Sequence, residues 1–62
     1  MSDEGDARIR KLRHDLANPL AALLAEVQLL LLQADAFDAE TVTSLKDIEA
    51  LARRMRDTLQ AQ

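Results

Sequence analysis

The sequence predicts an all-α protein, an antiparallel helical hairpin that pairs with a second copy to form a homodimeric four-helix bundle. Three observations lead there. Apolar residues recur at steps of three and four along two stretches. A short interruption, Asp35-Ala36-Phe37-Asp38, separates those stretches. The apolar stripes are also wider than a single neighbouring helix can cover.

The elements follow in order. Residues 1–6, Met-Ser-Asp-Glu-Gly-Asp, are polar and acidic and are expected to be a disordered leader before a hairpin domain over residues 7–62. Residues 7–34 contain no glycine, and Ile9, Leu12, Leu16, Leu20, Leu23, Val27 and Leu30 keep the period of an amphipathic helix. The turn falls at 35–38, where Asp38 suits the N-cap of a second helix and Glu40 its first turn. That helix, over 39–61, carries Val42, Leu45, Ile48, Ala52, Met55 and Leu59. So short a connection makes the helices antiparallel neighbours.

A lone hairpin would leave Leu20, Leu23, Leu24, Val27, Leu30 and Leu31 only partly covered, with Leu51 displaced to one side of the Ile48 and Met55 line. Packing two hairpins face to face gives each helix two neighbours and buries both stripes. A chain of 62 residues rarely builds enough core alone, which favours the same arrangement. The periodicity is shared by a purely structural coiled coil of two hairpins, so chemistry has to be sought in particular residues.

Composition excludes several functions. With no cysteine and a single histidine there is no disulfide and no metal-ligand spacing, so no metal site is expected. One phenylalanine, Phe37, offers nothing on which to stack bases, and a net charge of -3 opposes general nucleic-acid affinity. No apolar run is long enough to span a bilayer and the acidic start is unlike a signal peptide, so a cytoplasmic location without membrane contact is expected.

The stretch Arg13-His14-Asp15-Leu16-Ala17-Asn18-Pro19-Leu20 holds the one histidine and the one proline. His14 points about 160° from the middle of the apolar stripe and is expected to face water. Asn18 lies one turn later on the same face, and Asp15 flanks it. A neutral imidazole is a nucleophile, and a neighbouring carboxylate can orient its other nitrogen or accept its proton. The Asn18 amide can hold an oxygen or a water beside that nitrogen. Pro19 removes an N–H, so the Asp15 carbonyl loses its helical partner and a bend is expected there.

His14-Asp15-Leu16-Ala17-Asn18-Pro19-Leu20 resembles the H-box of sensor histidine kinases, and residues 8–60 resemble that family's dimerisation and histidine-phosphotransfer domain. Aspartate at 15 stands where glutamate is commoner, and alanine at 17 where a basic residue is frequent. The resemblance implies that His14 is the phosphoacceptor, that Asp15 assists its attack on the ATP γ-phosphate, that Asn18 positions water for the reverse reaction, and that Pro19 supplies a bend. It implies a response-regulator receiver as partner, docking on Ala21, Ala22, Ala25, Leu29 and Leu32 of the first helix and Thr43, Asp47 and Ala50 of the second. Leu29 and Leu32 serve equally well in a broader dimer interface.

Antiparallel helices bring Arg8, Arg10, Lys11 and Arg13 towards Arg53, Arg54 and Arg56, so seven of the eight basic residues gather at the histidine end. Cations at the start of a helix oppose its dipole, and a positive field there suits an incoming phosphate. Local pairs such as Asp6 with Arg10 and Glu49 with Arg53 are the competing explanation. No glycine-rich segment can hold ATP, since the single glycine is Gly5, so no cofactor is expected on this chain and no kinase activity of its own. ATP and Mg would arrive with a separate kinase domain, in cis or in trans. The alternative function is a non-catalytic bundle that docks kinase or receiver domains as scaffold or inhibitor.

Overall fold

The computed structural model describes residues 3–61, which form two packed helices joined by a tight turn. Helix α1 spans Asp3–Leu31 and helix α2 spans Ala39–Gln60, with a single 3₁₀ turn at Ala34–Ala36 between them. The hairpin is a thin rod of 51 × 14 × 12 Å.

Helix α1 starts at Asp3, so residues 3–6 of the expected leader are its first turn; Met1 and Ser2 lie outside the described residues. The cause is electrostatic. Asp3, Glu4 and Asp6 sit against the positive end of the helix dipole, which offsets the helix-weakening Gly5. Helix α1 also ends at Leu31, short of the expected residue 34, because its last turn tightens. The Leu32 N–H still donates to the Gln28 carbonyl at 3.1 Å, but the Gln33 N–H donates to the nearer Leu30 carbonyl at 3.0 Å. Phe37 then adopts extended backbone and Asp38 caps α2, accepting a hydrogen bond from the Thr41 N–H at 2.8 Å. The N-cap and the start of α2 at Ala39 are therefore as expected.

The seam between the helices is narrower than the apolar stripes and keeps the expected Leu20, Leu24, Val27 and Leu31 of α1 and Val42, Leu45, Ala52 and Leu59 of α2. Leu20, Leu24, Val27 and Ala52 are buried, Ala52 most completely at 2% exposure. Around them lie half-buried positions, Arg13, Ala17 and Leu31 among those of α1 and Val42, Leu45, Glu49, Arg56 and Leu59 on α2. On both helices these positions alternate steps of three and four, the spacing of a bundle seam. Small residues at Ala17 and Ala52 allow close approach, while the aliphatic stems of Arg13 and Arg56 cover the seam towards its open end.

As expected for a single hairpin, part of each apolar stripe is uncovered. Ile9, Leu12, Leu16, Leu23 and Leu30 of α1 and Ile48, Leu51 and Met55 of α2 are exposed, Leu12 by 59%. At about 100° per residue this second set sits roughly a quarter turn from the seam on each helix. Antiparallel packing turns both sets to the same side of the hairpin. There Leu16, Leu20, Leu51, Met55 and Leu59 line an open groove of about 540 Å³, edged by Arg54 and Thr58. The sequence pattern thus contains two seams, of which the hairpin closes one.

Candidate functional site

The site is built on α1, on the side turned away from that groove. His14 lies roughly half a turn around the helix from the Leu16 stripe, and its side chain is 74% exposed. Its Nδ1 is 3.7 Å from Asp15 Oδ1, close enough for electrostatic influence and too long for a hydrogen bond. The other oxygen, Asp15 Oδ2, accepts a hydrogen bond from Lys11 Nζ at 2.7 Å. Asn18 is exposed one turn beyond His14, and its amide makes no hydrogen bond among the described residues. Pro19 is exposed inside α1, and the helix is continuous through it from Asp3 to Leu31.

These positions follow from the local sequence. Steps of three and four from Lys11 through His14, Asn18 and Ala21 to Ala25, and then two turns on to Leu32, define one outward stripe of α1. All six residues of that stripe are exposed. Ala22 and Leu29 flank it and are exposed too, and Leu32, at 82%, is the most exposed of the large apolar side chains. Thr43, Asp47 and Ala50 are exposed on α2. The Thr43 hydroxyl is turned back onto its own helix and donates to the Ala39 carbonyl at 3.0 Å.

The cations divide into paired and free. Arg53 pairs with Glu49 at 3.3 Å and Arg56 with Asp57 at 3.2 Å, so the expected Glu49 pair forms. The expected Asp6 to Arg10 pair does not. Arg8, Arg10, Arg13 and Arg54 make no ion pair among the described residues. Arg10 and Arg54 are exposed and Arg13 is half-buried on the end of the rod that carries His14, where the first turn of α1 also places the acids Asp3, Glu4 and Asp6. The Lys11 to Asp15 pair was not foreseen, although its i,i+4 spacing on a helix was available as a signal.

No group of three or more His, Cys, Asp or Glu among the described residues is arranged to hold a metal ion. No described helix is long and apolar enough to cross a membrane. Asp38, at the turn, is remote from His14. Hydrogen bonds from the Thr41 side chain and then from its backbone N–H hold the Asp38 carboxyl below the usual carboxylate range.

The arrangement joins an accessible nucleophilic ring, a carboxylate near its Nδ1, an unengaged amide one turn on, and unpaired cations nearby. No family model, curated protein or solved structure matches this chain.

Proposed function

We propose that this chain is a dimerisation and histidine-phosphoacceptor module of a two-component signalling relay, working in the cytoplasm. In this reading a separate kinase domain, in cis or in trans, holds ATP and Mg, and His14 Nε2 attacks the γ-phosphorus. An N–P bond forms, the P–O bond to the ADP leaving group breaks, and the Nδ1 proton passes to Asp15. In the forward relay a receiver aspartate oxygen then attacks phosphorus. The N–P bond breaks as an acyl phosphate forms, and the imidazole regains a proton. Asn18 would hold the water that later hydrolyses that acyl phosphate.

The observation that carries the proposal is a water-facing His14 with Asp15 Oδ1 at 3.7 Å from Nδ1, on a helix whose exposed Leu12, Leu16 and Leu23 lie on the opposite side. A phosphoacceptor must be reached by two different domains in turn. A second copy laid on the groove side would bury Leu12, Leu16, Leu23, Ile48, Leu51 and Met55 and leave His14 open. The unpaired, exposed Arg10, one turn before His14 on the same side of the helix, supports an anionic visitor. The exposed stripe of Ala21, Ala25, Leu29 and Leu32 supports close approach by the receiver.

The test is phosphate incorporation. Incubated with ATP-binding histidine-kinase domains and ATP labelled at the γ-position, the parent chain should acquire acid-labile, base-stable label, and His14→Gln none. A parent chain that stays unlabelled, or a His14→Gln chain labelled equally, rejects the proposal.

A further inference from the structure

Asp15 faces two partners, Lys11 through Oδ2 and His14 through Oδ1, and only the first is within hydrogen-bonding length. Lys11 stands four residues before it, directly up the helix on the same face. His14 is the adjacent residue, about 100° around the circumference. A carboxylate on a single methylene reaches along the axis or around it. The distances show which direction prevails: 2.7 Å from Oδ2 to Lys11 Nζ against 3.7 Å from Oδ1 to His14 Nδ1. The first is a charge-assisted hydrogen bond, and the second lies beyond hydrogen-bonding length.

We infer that Lys11 is a positioning residue that competes with His14 for the Asp15 carboxylate and so sets how often Nδ1 is hydrogen-bonded and Nε2 left as the free nucleophile. The inference deepens the phosphoacceptor reading and rests on it for its consequence in reactivity. Both members of the pair are largely exposed, Lys11 by 77% and Asp15 by 52%. Exposed i,i+4 pairs are weak, and a lysine N-terminal to its acid is the less favourable order. The competition is therefore soft. Removing Lys11 should change the share of the coupled state by about twofold, the equilibrium factor that such pairs carry.

A spectroscopic measurement reads this without any kinase. In the full chain labelled with nitrogen-15 at about pH 8.5, where an ordinary histidine is neutral, ring nitrogen shifts give the share of the tautomer protonated at Nδ1. Lys11→Met should raise that share by about twofold, Lys11→Arg should keep it near the parent value, and Asp15→Asn should abolish the effect of Lys11→Met. Added salt should move the parent towards Lys11→Met and leave Lys11→Met itself unchanged, because screening weakens the ion pair. A share that is unchanged or lower in Lys11→Met overturns the inference.

Reaction with potassium phosphoramidate supplies the second arm. Its P–N bond breaks and ammonia leaves as the Nε2–P bond forms, with the Nδ1 proton passing to Asp15 and on to water. Lys11→Met should react about twofold faster than the parent. In an Asp15→Asn background the same change should bring no gain, since only the loss of a cation that attracts the donor remains. A parent histidine no more reactive than in the urea-unfolded chain defeats the phosphoacceptor reading. A reactive parent matched by Lys11→Met, with unaltered tautomers, defeats the role of Lys11 alone.

Discussion

Leu16 of α1 and Met55 of α2 line the same open groove although neither belongs to the seam that closes the hairpin. Both are more than two-fifths exposed, at 46% and 57%. On the proposed assembly they are dimer residues. Leu16→Asp or Met55→Asp should therefore convert a dimer to a monomer in analytical ultracentrifugation. Since a four-residue buried core is small, the melting temperature should fall as well and lose its dependence on protein concentration. A parent chain that sediments as a monomer at high concentration would reject the dimer.

The hairpin seam responds to volume in both directions. Leu24 is 7% exposed beside Ala52. Leu24→Ala should cost about 2–5 kcal/mol, through lost burial and the cavity left behind. Ala52→Leu should cost about 1–3 kcal/mol by forcing the helices apart. Either loss is a large fraction of what so short a chain has. Chemical denaturation followed by circular dichroism measures both.

Asp38 makes the turn sensitive to acid. Its folded carboxyl titrates below the usual range because Thr41 donates to it. The unfolded chain therefore binds the proton more readily, and stability from this group is present above about pH 4 and lost as pH falls through the depressed folded value. Asp38→Ala should lower the melting temperature at pH 7 and remove this contribution to the acid-side decline. Parent and variant curves should converge at low pH, where the cap is protonated in both states.

Pro19 sits inside α1 without an N–H to give the Asp15 carbonyl. Pro19→Ala should restore that hydrogen bond and stabilise the hairpin by up to about 3 kcal/mol. On the proposed function it should also slow one of the two phosphoryl steps, because a stiffer helix suits fewer partner geometries. Thermal melts test the first expectation and phosphate uptake followed by release to a receiver tests the second.

His14→Gln should leave folding intact. Its ring is 74% exposed and lies outside the seam, and surface substitutions of this kind usually shift stability by no more than about 0.5 kcal/mol. Unchanged helicity and melting temperature make this variant a clean control for the phosphorylation experiment.

The linear order of residues already contains the two helices, the Asp38 cap and the outward aspect of His14. Each depends on interactions within about one helical turn: a period of three and four, a side-chain acceptor facing a free N–H, or an angle counted from nearby leucines. The start of α1 is not legible in this way, because Asp3, Glu4 and Asp6 suit a solvated leader and the acidic first turn of a helix equally. Local pairing was half visible, with Glu49 and Arg53 anticipated and Lys11 and Asp15 missed.

Periodicity alone did not reveal which apolar line closes the hairpin. Ile9, Leu12, Leu16, Leu23 and Leu30 look like a core from one helix considered by itself. Packing selected from the stripes Leu20, Leu24 and Val27, with Ala17 beside them, set against Leu45, Ala52 and Leu59. Two helices approach most closely where alanines let the backbones meet and leucines fill the gaps beside them. That complementarity belongs to a pair of surfaces, so it exists only once both helices share one fold.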